Sequence, residues 1–133
     1  MEKLIKTNED WKKILTPEQY KILREGGTEV AYSSSMLEGK GDGRYYCVAC
    51  DNLLFDSKDK FESGTGWPSF TKPATTDSVE YRGENFIIGV EVICKKCEGH
   101  LGHVFNDGPK PAGKRYCING KILKFKSLNN TNG

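Results

Sequence analysis

The sequence predicts a mainly β domain, entered through short N-terminal helices and tied together by a zinc-ribbon-like four-cysteine site. Three observations lead there. Apolar residues follow helical spacing only in the first 27 of 133 residues. From Val30 onward, short apolar or alternating runs are separated by turn residues, and glycine is abundant at 15. Four of the five cysteines fall in two Cys-x-x-Cys pairs. No repeat or linker divides the chain. One domain is expected over 1–133, with a helical segment at 1–27, a β-rich core at 28–126 and a flexible polar tail at 127–133.

The first helix is expected to start at Thr7 or Asn8, with Glu9 and Asp10 where the helix dipole favours acids. Trp11, Ile14 and Leu15 then form an apolar stripe. Thr16-Pro17-Glu18-Gln19 is a second start signal: a cap, a proline at the first helical position and a capping-box glutamine. Tyr20, Ile22 and Leu23 supply its apolar face, and Gly26-Gly27 stops it. Ser33 to Gly43 reads as a polar loop. Strands are expected at Arg44–Val48, Leu53–Phe55, Val79–Arg82 and Phe86–Cys94, with a hairpin turn at Arg82-Gly83-Glu84-Asn85. Ser63–Phe70 reads as a loop because of its glycines. Lys121–Lys126 alternates, Leu123 and Phe125 against Lys124 and Lys126, and Asn129–Gly133 reads as a frayed tail.

Composition narrows the function classes. Twenty Lys and Arg against 18 Asp and Glu give a net charge of +2, too balanced for a nucleic-acid or anionic-membrane partner. No apolar run approaches the ~20 residues of a membrane helix, and Met1–Lys6 lacks the apolar core of a secretion signal. A soluble, cytoplasmic monomer is expected.

Cys47-Val48-Ala49-Cys50 and Cys94-Lys95-Lys96-Cys97 each follow a strand-like segment. Each pair can place two thiolates on one Zn²⁺ from a tight turn, and two pairs complete a tetrahedron. A structural zinc closed in this way has no open position for chemistry, and it can contribute on the order of 10 kcal/mol to folding. His100 and His103, at Cys97-x-x-His100-x-x-His103, are alternative ligands.

Cys117 has no partner by spacing, and a buried free thiol is its bland reading. Strand alternation puts Arg115, Cys117 and Asn119 on one face, with Tyr116 and Ile118 toward the core. The thiol then lies between a cation, which favours thiolate, and an amide that can donate to a substrate. Trp67, extended by Pro68, can be a presented aromatic wall or a core residue. His100 and His103 can be proton donors beside a pocket or structural histidines.

Together these residues resemble the methionine-R-sulfoxide reductases of the B type. The resemblance rests on Ser63-Gly64-Thr65-Gly66-Trp67-Pro68-Ser69-Phe70, on Gly99 to Pro109, on Arg115-Tyr116-Cys117-Ile118-Asn119, on both cysteine pairs and on Arg24–Glu29, and it runs from about Trp11 to Phe125. It implies two antiparallel sheets with N-terminal helices, and reduction of methionine-R-sulfoxide in proteins and peptides by thiols, usually thioredoxin. By match, Cys117 resembles the nucleophile, and His100, His103 and Asn119 the polar set around the sulfoxide. Trp67 resembles the aromatic on the S-methyl group, with Phe70 and Arg115 as further substrate contacts. Cys47, Cys50, Cys94 and Cys97 match the ligands of one structural Zn²⁺. Many members carry a resolving cysteine where Thr65 stands, so an external thiol is expected to reduce Cys117. Gly120 departs from the serine common in the family. The rival reading is a non-catalytic zinc-ribbon binding module.

Overall fold

A computed structural model describes residues 2–128. Residues 129–133 of the expected frayed tail lie outside the described residues, and Ser127, placed in that tail, instead closes a strand. Helix α1 (Asn8–Ile14) is capped by the Thr7 side chain, which accepts from Asp10 N. Trp11 and Leu15 are buried, but Ile14 is 55% exposed and drops out of the stripe. Leu15 is already extended, so the helix ends before Ile14 can reach the core. Helix α2 (Pro17–Glu25) has the expected capping box, with Thr16 Oγ1 accepting from Gln19 N and Thr16 N donating to Gln19 Oε1. It stops where Gly26 turns left-handed at φ 72°.

Nine strands follow, all paired antiparallel. Strands β1 (Gly43–Cys47), β2 (Leu53–Asp56) and β9 (Leu123–Ser127) form a three-stranded sheet in the order β2-β1-β9. Strands β3 (Lys60–Phe61), β4 (Ser69–Phe70), β5 (Val79–Arg82), β6 (Val90–Cys94), β7 (His100–Phe105) and β8 (Arg115–Ile118) form a six-stranded sheet in the order β3-β4-β8-β7-β6-β5. The structure adds β3, β4 and β7 to the strands expected from sequence.

The apolar run at Phe86 does not belong to a strand. The Asn85 side chain accepts from Ile87 N, Gly89 N returns to Asn85 O, and the strand begins only at Val90. Ile87 and Ile88 are left in solvent at the tip of this connection, and the hairpin loop is longer than the four residues expected. At the other end, Gly120–Ile122 is a 3-10 turn, and β9 starts after it.

The six-stranded sheet has two unlike faces. Phe70, Tyr116, Val104 and Val90 are cross-strand neighbours in one row, and all are buried. This row faces the small sheet: Phe70 stacks on Phe55 at 4.3 Å and meets Tyr45 edge-on at 5.2 Å. The adjacent row runs Ser69, Cys117, His103, Glu91, Arg82 across the other face. Because side chains alternate, the polar row points away from the aromatic core. Helix α2 packs on β7 and on the Gly120–Ile122 turn, which closes one end of the polar face.

Candidate active site and metal centre

Cys117 is directly opposite His103 on β7 and Ser69 on β4. Opposed residues of an antiparallel pair share a face with Cβ atoms about 5 Å apart, so imidazole and thiol project from the same side of the sheet. A cavity of about 180 Å³ opens beside them, bounded by Cys117, His103, Asn119 and Trp67 with Thr28, Phe105, Gly102 and Ile118. Only glycine fits at 102: a Cβ there would lie 2.0 Å from the Cys117 carbonyl oxygen. That close approach lets β7 and β8 pair tightly under the cavity floor.

Four of the expected site residues converge on this cavity: Cys117, His103, Asn119 and Trp67. Asn119 is buried. Its Oδ1 accepts from Glu29 N at 2.9 Å and its Nδ2 donates to Leu101 O at 2.9 Å, which leaves one amide hydrogen. Trp67 is half-buried, and its Nε1 donates to Glu29 O at 3.0 Å.

The other three lie elsewhere. His100 sits behind His103, ring edge to face at 5.4 Å, with Nδ1 2.7 Å from Glu91 Oε2. The register between β6 and β7 slips by one residue at Leu101, so His100 emerges on the same side as His103 despite odd spacing. Arg115 stands behind the cavity wall. Its guanidinium lies 4.4 Å over the Phe105 ring and donates to both oxygens of Asp107 at 2.9 and 3.2 Å. Phe70 belongs to the core: it is one residue out of phase with Ser69 and Cys117 and points to the opposite face. Sequence reasoning did not single out Phe105, Thr28 or Glu91. Phe105 was within reach, because it is two residues from His103 and therefore shares its face.

The electrostatics correct one expectation. Burial pushes the Cys117 thiol up from its ordinary value, and the Arg115 charge with the nearby Thr65 hydroxyl only partly offsets it. The cation acts with the expected sign, but desolvation prevails. Burial, followed by the neighbouring His100, pulls His103 down. Thiol and imidazole are both biased toward their neutral forms, a pair that can exchange one proton.

The remaining four cysteines form the metal-binding cluster. Cys47 ends β1 and Cys94 ends β6, so one pair comes from each sheet. The two knuckles match in geometry. Asp51 and Glu98, each following a second cysteine, are left-handed at φ 64° and 62°, and their amides return to the carbonyls of Cys47 and Cys94 at 2.9 and 2.8 Å. All four Sγ atoms are buried and lie within 4.8 Å of one another, with Cys47–Cys97 at 3.8 Å and Cys50–Cys94 at 3.5 Å. A tetrahedron of ~2.3 Å metal–sulfur bonds has edges of about 3.8 Å, so the donor set fits an ion. Asn52 Nδ2, 3.6 Å from Cys94 Sγ, adds an outer hydrogen bond. Neither histidine is among the clustered ligands.

Comparison with known proteins agrees with this arrangement. The SelR domain matches residues 15–127. The chain is 51% identical to the peptide methionine sulfoxide reductase MsrB of Leptospira interrogans, over 91% of this chain and 94% of that one. It is 50% identical to the chloroplastic reductase B1 of Arabidopsis thaliana, over 92% and 61%, and 47% identical to the mitochondrial methionine-R-sulfoxide reductase B2 of Rattus norvegicus, over 93% and 76%. A crystal structure of the Mis18 'Yippee-like' domain superposes with a TM-score of 0.54 at 18% identity, covering 67% of this chain and 99% of that one; this likeness concerns the fold alone. With half its residues identical over nine-tenths of its length, and with the SelR domain spanning both the thiol cavity and the cysteine cluster, the chain belongs to the MsrB family of methionine sulfoxide reductases.

Proposed function

We propose that this protein reduces methionine-R-sulfoxide in peptides and proteins, with Cys117 as nucleophile and one structural Zn²⁺ on Cys47, Cys50, Cys94 and Cys97. The single observation carrying the reading is that Cys117, the one cysteine outside the cluster, faces His103 in a cavity walled by Trp67. About 50% identity to named reductases favours this over a non-catalytic zinc-ribbon module.

The neutral pair supplies the protons. His103 takes the thiol proton, and the Cys117 sulfur attacks the sulfoxide sulfur. The imidazolium returns the proton to the sulfoxide oxygen, and the remaining amide hydrogen of Asn119 supports that oxygen. In the resulting adduct the hydroxyl shifts from the substrate sulfur to the Cys117 sulfur as the bond between the two sulfurs breaks, so methionine leaves and Cys117 keeps the oxygen as sulfenic acid. The sulfoxide has been reduced by two electrons and the thiol oxidised by two. One external thiol then displaces water to form a mixed disulfide, and a second releases Cys117 as thiol with an external disulfide. Thioredoxin fits this role. Thr65, which favours the Cys117 thiolate, holds the place of the resolving cysteine. The Trp67 face accepts the S-methyl group, and a chiral cavity separates the epimers.

Zinc supplies a closed, non-catalytic cross-link between the two sheets. A reducing compartment such as the cytoplasm suits five free thiols. Among the described residues, no helix is long and apolar enough to cross a membrane. An epimer-resolved assay with dithiothreitol, run beside a zinc measurement, tests the reading. Strong R preference with one zinc per chain is expected. Equal rates on both epimers, or turnover of peroxide in place of sulfoxide, would point to a different thiol chemistry.

A further inference from the structure

The search outside the reacting groups points to Glu29. It lies between α2 and the Ser35–Leu37 turn, in a stretch without regular secondary structure, yet it is 3% exposed. Its backbone N–H and C=O serve two side chains from different elements. Glu29 N donates to Asn119 Oδ1 at 2.9 Å, and Glu29 O accepts from Trp67 Nε1 at 3.0 Å. Both partners wall the Cys117 cavity.

The Glu29 side chain holds that backbone in place. Oε1 accepts from Lys121 N at 2.8 Å. Lys121 is two residues after Asn119, so a ring of bonds closes: Asn119 side chain to Glu29 backbone, Glu29 side chain to Lys121 backbone, and back along the chain to Asn119. The ring fixes the Asn119 amide, and the carbonyl of the same residue fixes the tilt of the Trp67 indole.

The arrangement is costly. Oε2 is buried with no partner, and a buried polar atom left unsatisfied is destabilising. An apolar residue of similar shape avoids that cost but offers no acceptor to Lys121 N, so stability alone does not account for an acceptor here. We propose that Glu29 is a positioning residue, whose carboxylate clips the Gly120–Ile122 turn and so orients both Trp67 and Asn119 toward the sulfoxide. This rests on the reductase reading of the same cavity.

Three variants test it. E29Q keeps an acceptor for the Lys121 amide and loses the charge. E29D keeps the charge and shortens the reach. E29A loses both. Expected on peptide methionine-R-sulfoxide is near-wild-type kcat/KM for E29Q, a loss of about 10-fold for E29D and of about 10- to 100-fold for E29A, mostly as raised KM. The second readout is deuterium exchange at the two indole N–H groups by NMR. The Trp67 indole should exchange faster in E29D and E29A and stay protected in E29Q, while the buried Trp11 indole stays unchanged.

Wild-type KM and an unchanged Trp67 indole in E29D overturn the proposal, and that comparison survives even when E29A does not fold. E29Q behaving like E29A overturns it as well, because charge and not reach would then be the cause. If the wild-type protein reduces no sulfoxide, the reductase reading falls, while the indole readout still decides whether Glu29 holds Trp67.

Discussion

Five thiols of identical chemistry occupy two regions of this molecule, and their surroundings divide them. In the cluster, four sulfurs face one another at metal-binding distances, buried to 7% exposure or less. In the cavity, one half-buried sulfur faces an imidazole, a threonine hydroxyl and an arginine held by its own carboxylate. The first environment can satisfy every thiolate with an ion, which would leave no reactive position. The second has an imidazole on the same face and room for a partner. On the proposed function, the neighbourhood of each thiol decides its role.

The sharpest way to break the comparison is to exchange what each region loses. Cys117→Ser should cost at least ~10³-fold in sulfoxide reduction and leave metal content and melting temperature intact. Cys94→Ser should release the metal and unfold the domain, at a cost of several kcal/mol. Metal analysis and thermal melts on both variants decide the matter; metal loss in the Cys117 variant would show that the two regions are not separate.

The next effect concerns the proton. His103→Asn should lower kcat about 10²- to 10⁴-fold with the metal in place. On the proposed mechanism the active form is neutral imidazole plus thiol. His103 is pulled down, so the acid limb of kcat/KM should fall below the ordinary histidine value of 6.5, where protonation removes the base. Cys117 is pushed up, so the alkaline limb should lie above the ordinary thiol value of 9.0, where loss of the thiol proton removes the proton to be delivered. A profile with its acid limb above the ordinary histidine value would contradict the assignment.

The smallest effect sharpens the electrostatic account. Thr65→Val removes a hydroxyl that favours the thiolate, so the Cys117 pKa should rise further. Iodoacetamide alkylation across pH, followed by mass spectrometry on Cys117, reads the shift directly. A downward movement would mean that Thr65 opposes ionisation.

What the sequence disclosed is whatever was local. Thr16-Pro17-Glu18-Gln19 specifies a helix start within four residues, and the structure has that capping box. Cysteine spacing indicates a metal site without reference to the fold, and the alternation around Cys117 gives its face because β8 is regular. What stayed hidden depends on partners distant in sequence. Ser69–Phe70 falls in a segment that reads as a loop because of its glycines, and glycine and histidine hide a strand pattern in His100–Phe105, yet pairing on both sides makes β7 and β4 interior strands. Phe70 travels in the same motif as Trp67, but a motif does not state a face; the register of Ser69 against Cys117 does. Ile87 and Ile88 resemble strand residues, while an asparagine side chain two positions earlier turns the backbone aside. The Cys117 thiol shows the same limit: its neighbours were legible, and its burial was not.

The one-residue slip at Leu101 has a consequence for anyone altering this strand. Histidines three apart are out of phase on a regular strand, and here a single extra residue brings them back into step. Straightening that bulge with every residue kept would turn one of the two imidazoles inward, against the aromatic layer, while the amino-acid content of the strand stayed the same.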